Sequence, residues 1–299
     1  MSDTTLPESD SLESVSPSLN LGAIGSARST WLGPAWAALC GLIASAAFSF
    51  DAPNLLIATF VYILVDWTWP AVWTVCVRTD WLAPMDRWHE SAAPERPIRL
   101  PYLQAGSPAD RLLIWMAHLG SWLRSSFAPL AGSSVASGLA ALVIGVALSA
   151  AIGWRALALT LAVVAITGMG TLHALRTALD SDGLRSIVYG TLPWWLGHAA
   201  FEPLTVESAG MGVLFGLAYR AMMDVAQDGR APSPAGLIVP QFLAAVVLFG
   251  GGRPAAAFLV VLAIVAQAAL RTFLVDHPFA RRAQAWLMAA MLTCAFAIA

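Results

Sequence analysis

Residues 132–174 read GSSVASGLAALVIGVALSAAIGWRALALTLAVVAITGMGTLHA, and Arg155 carries the single formal charge in that stretch. A helix needs roughly 20 apolar residues to cross the hydrocarbon of a bilayer. The stretch therefore predicts two spans, residues 132–152 and 155–174, with a reversal between them. Working outward, the same criterion predicts spans at 31–50, 53–76, 184–201, 206–224, 234–251, 254–273 and 282–298. The composition agrees, because 58% of the 299 residues are hydrophobic, 11% are charged and mean hydropathy is +0.70, values outside those of an ordinary soluble domain. The expected fold is all-α: a polytopic membrane helical bundle of about nine transmembrane helices, forming one domain over residues 31–298.

Residues 1–30 are rich in Ser, Asp, Glu and Pro. They lack a basic start and a small-residue cleavage site, and are expected to form a disordered cytoplasmic tail. The formal net charge of -2 provides no basic field for nucleic acid,. All 16 basic residues are arginine, which removes lysine Schiff-base chemistry. Cys40, Cys76 and Cys294 show no metal-ligand spacing and read as packing residues,.

With nine spans, fourteen arginines fall on the side of the N-terminal tail, and only Arg155 and Arg253 fall opposite. The positive-inside rule makes the arginine-rich side cytoplasmic. The expected location is a multi-pass integral protein of a bacterial-type cytoplasmic membrane with its N-terminus in the cytoplasm. One loop on that side, residues 77–131, is long for a compact bundle. Its second half, Asp110 to Arg124, carries Leu112, Leu113, Trp115, Met116, Leu119, Trp122 and Leu123 at broadly helical spacing, which predicts an interfacial amphipathic helix.

Two acidic clusters lie on the cytoplasmic side. The first is Asp80, Asp86 and Glu90, with Arg87 inside it and Arg96-Pro97 after it; the second is Asp224 and Asp228, flanked by Arg220 and Arg230. Acids four residues apart share a helical face. Carboxylates suit a hard cation such as Mg2+, which shares its remaining ligand positions with water and phosphate, and guanidinium groups hold phosphate oxygens. The loop after the fourth span adds Arg176 and Arg185. Either cluster alone reads more readily as a solvated helix end; two in topologically equivalent loops suggest a diphosphate clamp. Such a clamp stabilises a departing diphosphate and so eases ionisation of an allylic carbon–oxygen bond. The thirteen tryptophans offer faces for a carbocation, although Trp is also enriched at membrane interfaces,.

Asp66 competes for a place in the first site, since a carboxylate at membrane depth is costly enough to be functional by default. If Asp66 is the ligand, residues 77–131 become largely an insertion. The residues alone slightly favour Asp86 and Glu90. His198 and His173 read as interhelical hydrogen-bonding residues.

The stretch Thr79-Asp80-Trp81 to Met85-Asp86-Arg87-Trp88-His89-Glu90, followed by Pro94-Glu95-Arg96-Pro97-Ile98, resembles the first aspartate-rich motif of the UbiA superfamily of intramembrane prenyltransferases, NDxxDxxxD followed by RP(L/I). Thr79 stands for Asn, Glu90 for Asp, and the gap from Asp80 to Asp86 is three residues longer. Asp224-Val-Ala-Gln-Asp228-Gly-Arg230 is similar to the second motif, DxxxD near the sixth helix. The resemblance implies a Mg2+-dependent enzyme that ionises an isoprenyl diphosphate and transfers the chain to a lipophilic acceptor, or cyclises it, within the bilayer. It also implies Asp86, Glu90, Asp224 and Asp228 as the catalytic acids. The metal ligands would come from these and from Asp66 and Asp80, with Arg87, Arg96, Arg176, Arg185, Arg220 and Arg230 on the diphosphate. The other reading is a non-catalytic membrane subunit that keeps the scaffold with eroded motifs. A carrier would place polar groups at the midplane of broken helices. The DxxDGxxAR pattern of the CDP-alcohol phosphotransferases does not occur around Asp182-Gly183 or Asp228-Gly229.

Overall fold

The computed structural model describes residues 33–88, 106–177, 182–228, 234–274 and 277–299. The expected tail, residues 1–30, lies outside them. The described residues are helical, with no strand among them. In chain order they form α1 (Pro34–Ala44), α2 (residues 52–78), α3 (Leu82–Asp86), α4 (Pro108–Ile152), α5 (Trp154–Thr177), α6 (residues 182–199), α7 (Val206–Asp228), α8 (Pro234–Gly250), α9 (Pro254–Phe273) and α10 (His277–Ile298). Four helical runs, residues 52–86, 108–152, 154–172 and 254–273, are long and apolar enough to cross a membrane. Shorter apolar helices accompany them at 34–44, 235–250 and 282–298. This is a polytopic helical membrane bundle.

Three helices contain a π-helical stretch, and a proline lies close to or within each. In α2 it is Leu64–Thr68 ahead of Pro70, in α6 Ile187–Thr191 ahead of Pro193, and in α4 Leu123–Gly132 around Pro129. Proline cannot donate to the helical ladder and its ring clashes with the preceding turn, so the wider register absorbs the misfit without breaking the helix. Such tolerance in membrane helices depends on neighbours that shield the backbone. Gly153, at φ 146°, makes the one-residue reversal from α4 to α5 that the opening stretch requires,.

The structure corrects two boundaries. The segment from Asp110 to Arg124 is helical but does not form a separate interfacial helix, because α4 continues from Pro108 to Ile152 through Pro129. α1 is shorter than the 31–50 span, ending at Ala44 before Ser45 and Ala46, the latter at φ 56°.

Contacts between glycines and their neighbours set the helix directions. Val75 packs on Gly138 and Thr68 on Gly145, so α2 and α4 are antiparallel. Thr171 donates to the Cys76 carbonyl at 3.2 Å, and Thr160 lies beside Thr68, so α2 and α5 are parallel. Gly183 meets Arg220, and Gly190 meets Gly216, so α6 and α7 are antiparallel. α1 crosses α6 at a point where a Cβ on Gly41 would overlap the Trp194 carbonyl, and one on Gly197 the Ala38 carbonyl. Small residues allow this approach, as they do elsewhere in membrane bundles.

Buried polar groups pair across helices. Trp194 donates to Ser208 Oγ at 3.0 Å, Ser208 Oγ donates to His198 Nδ1 at 3.1 Å, and His198 Nε2 donates to the Pro203 carbonyl at 3.2 Å. This network satisfies His198 and locks the α6–α7 hairpin, as expected of an interhelical histidine. Gln241 and Gln267 exchange amide hydrogen bonds of 3.0 and 2.9 Å between α8 and α9.

Candidate functional site

Counting along their helices puts Asp66, Arg185 and Arg220 at a similar depth,. Asp66 is fourteen residues after Ala52, Arg185 fourteen before Ala199, and Arg220 fourteen after Val206. Ala52, Ala199 and Val206 are helix ends on the same face of the bundle, and fourteen residues of helix rise ~21 Å. Gly33, at the start of α1, supports that level: a Cβ there would stand 3.4 Å from Asp66 Oδ1. From the α1–α6 crossing, Gly33 and Tyr189 are displaced by a similar number of residues toward the arginine-rich face.

The two arginines converge on the first turn of α6. Arg220 Nη1 stands 3.2 Å from the position a Cβ on Gly183 would occupy. Arg185 lies over the Tyr189 ring, 5.4 Å from its centroid, and its Nε is buried with no hydrogen-bond partner among the described residues. The next residue, Gly190, packs on Gly216 and on the Cβ of buried Tyr219. An unpaired buried donor on a charged group costs about 1–3 kcal/mol. An acceptor beside the Arg185 Nε relieves that cost, and guanidinium groups bind phosphate oxygens well.

The first acidic cluster lies elsewhere. Asp80 Oδ1 accepts from the amides of Leu82 and Ala83 at 3.0 and 3.1 Å, so it caps α3. Asp86 and Arg87 are exposed at the end of α3. α3 packs on the first half of α4, where Trp122 Nε1 donates to the Pro84 carbonyl at 2.7 Å. Trp122 is thirty residues before Ile152, which puts it ~40–45 Å from that face, some 20 Å beyond the level of Arg185. Among the described residues, Asp80 is used as a cap and α3 packs on α4, and no hydrogen bond or ion pair joins Asp80 or Asp86 to Arg185 or Arg220.

Glu90, Arg96 and Arg230 lie outside the described residues, as do the side chains of Arg176, Asp224 and Asp228. The backbone of Asp224 is one turn beyond Arg220 on α7, and that of Asp228 two turns beyond. Among the described residues, no three His, Cys, Asp or Glu side chains group closely enough to hold a metal. The acids available near the arginine level, Asp66 and the two on α7, offer the all-oxygen donors that Mg2+ requires. Sequence reasoning did not find Gly183, Tyr189 or Tyr219; the glycines at 183, 190 and 216 were the available signal.

The described residues thus form a helical membrane bundle in which Arg185 and Arg220 meet at the first turn of α6. The chain is 28% identical over 198 residues to the bacteriochlorophyll synthase 34 kDa chain of Chloroflexus aurantiacus, a match covering 66% of this chain and 54% of that protein. The match thus spans about half the length of that relative. No family model and no solved structure matches. This similarity to a bacteriochlorophyll synthase chain supports the resemblance to the UbiA superfamily read from the motifs.

Proposed function

We propose that the protein is an intramembrane prenyltransferase that binds an isoprenyl diphosphate with its phosphates against Arg185, Arg220 and the first turn of α6, and its chain in the apolar bundle. The buried, unpartnered Nε of Arg185, level with Arg220 and Asp66, carries this reading. Asp66 from α2, with Asp224 and Asp228 from α7, is the ligand set we assign to Mg2+, which when bound supplies positive charge to the diphosphate oxygens. To Asp86, Glu90, Arg87, Arg96, Arg176 and Arg230 we assign supporting roles toward the diphosphate and its metal.

The chemistry follows from where charge develops. The allylic carbon–oxygen bond breaks, its electron pair leaves with the diphosphate, and Arg185 and Arg220 stabilise the added charge. Tyr189 and Tyr219 line the same turns of α6 and α7 and present ring faces close to the cationic carbon. A lipophilic acceptor forms the new bond to that carbon and releases a proton. Capture by a double bond of the same chain gives cyclisation instead. The relative's name, a synthase of bacteriochlorophyll, favours transfer to a separate acceptor. We place the N-terminus and the arginine-rich face in the cytoplasm, where Mg2+ and phosphorylated substrates are found.

The test is diphosphate release from geranyl, farnesyl and geranylgeranyl diphosphates by purified protein in lipid, with and without Mg2+. We expect metal-dependent release that Asp224→Asn or Asp228→Asn abolishes. No release from any chain length by wild type, in the presence of an extract supplying lipophilic acceptors, would favour the non-catalytic scaffold.

A further inference from the structure

Trp69 on α2 and Thr160 on α5 are 1% and 2% exposed, and the indole Nε1 of one and the hydroxyl of the other are buried with no hydrogen-bond partner among the described residues. Three other buried hydroxyls on the same helices are satisfied. Thr68 donates to the Ile63 carbonyl at 3.1 Å, Ser149 to the Val146 carbonyl at 3.1 Å and Thr167 to the Val163 carbonyl at 2.7 Å, each returning to its own helix. The indoles of Trp81, Trp122, Trp194 and Trp195 likewise each donate to an oxygen. Inside a bilayer a buried polar group has no bulk water to turn to, so leaving two of them unpaired is costly.

Both residues line one cavity, where α2, α4 and α5 meet. Thr68, Val72, Gly145 and Val163 form further parts of its wall. Its volume is about 10 Å³, which matches the roughly 10–15 Å³ that a single water needs. Gly145 keeps the junction tight, since a Cβ there would stand 2.9 Å from the Thr68 methyl and 3.9 Å from the Thr160 methyl. A larger ligand does not fit.

We propose that this cavity binds one water, which accepts the Trp69 indole N–H and shares a second hydrogen bond with the Thr160 hydroxyl. A water with two or more polar partners is held as part of the structure. The bridge ties α5 to the residue that follows the π-helical stretch Leu64–Thr68 of α2, and so steadies the turn that carries Asp66. It does not depend on the Arg185–Arg220 pocket.

Nuclear magnetic resonance of the full chain in nanodiscs, with isotope-labelled tryptophan indoles, reads the site directly. Wild type should show a cross-peak between water and one buried indole proton, assigned to Trp69 by its loss in Trp69→Phe. Thr160→Val keeps the shape of the side chain but removes the hydroxyl, so the water loses one of its two partners. The cross-peak should then weaken or vanish, and the melting temperature should fall by about 2–4 °C. Thr160→Ser keeps the hydroxyl and should keep the cross-peak. In a dry cavity the valine instead removes an unsatisfied group, so that variant would melt at the wild-type temperature or above. Either an absent cross-peak in wild type or an undiminished stability of Thr160→Val overturns the bridge.

Discussion

Arg220 reaches from α7 to the first turn of α6, where its Nη1 lies 3.2 Å from the space that a Cβ on Gly183 would fill. The lack of a side chain at Gly183 thus leaves room for the Arg220 guanidinium beside the first turn of α6. Gly183→Ala requires the guanidinium to move only a few tenths of an ångström, whereas Gly183→Val displaces it. We expect Gly183→Ala to raise KM for the isoprenyl diphosphate about twofold and Gly183→Val at least tenfold, with thermal stability changed little. Steady-state kinetics beside a melting curve checks this, and a valine variant with wild-type KM would remove Arg220 from the site.

Arg185 is half-buried, with its Nε shielded from solvent. Arg185→Gln keeps hydrogen bonding but loses the charge that stabilises departing diphosphate, and should lower kcat by about 100- to 1,000-fold. Because its Nε is buried without a partner, the same substitution should leave stability equal or higher, since an unsatisfied donor is costly. Loss of activity accompanied by loss of stability would instead mark Arg185 as structural.

Much of the fold was legible because a bilayer imposes a length and polarity rule that the sequence must obey. Runs such as 132–174 could be read directly. The break expected near residue 131 was not there, because Pro129 was absorbed by a π-helical register that no periodicity rule anticipates. The choice between Asp66 and Asp86 was also hidden. Asp66 gained weight only when helix ends fixed its depth beside Arg185 and Arg220, and Asp80 lost weight when its oxygen was found capping α3. Sequence spacing gives faces of helices but not the relative heights of different helices.

The reciprocal amide pair of Gln241 and Gln267 predicts a stability cycle. Gln241→Leu leaves Gln267 buried and unpaired and should destabilise the protein in detergent by about 0.6–1.7 kcal/mol. The double variant Gln241→Leu/Gln267→Leu should recover most of that loss, because no amide remains unsatisfied. A double variant as unstable as the sum of both single changes would show that the two residues act independently.

Asp51 predicts a pH effect at the opposite face. Its carboxylate caps α2, accepting from the Ser49 hydroxyl at 2.6 Å and the Asn54 amide at 2.9 Å, and these bonds hold its pKa below the usual carboxylate value. A lowered folded-state pKa stabilises the protein above the unfolded pKa, and that stability is lost as pH falls through the folded value. Asp51→Ala should lower the melting temperature at neutral pH, and the gap to wild type should close at acid pH. A gap that persists unchanged into acid would assign the effect to something other than the ionised cap.

The most direct measurement is calorimetric titration of pyrophosphate with Mg2+ onto wild type and onto the Arg185→Gln/Arg220→Gln double variant in nanodiscs. A pocket in which both arginines hold the phosphates predicts metal-dependent binding by wild type and at least about 100-fold weaker binding by the variant, roughly one charge-assisted bond lost at each position. Equal affinity in the two proteins, or no binding by wild type, would contradict the placement of the diphosphate at the first turn of α6.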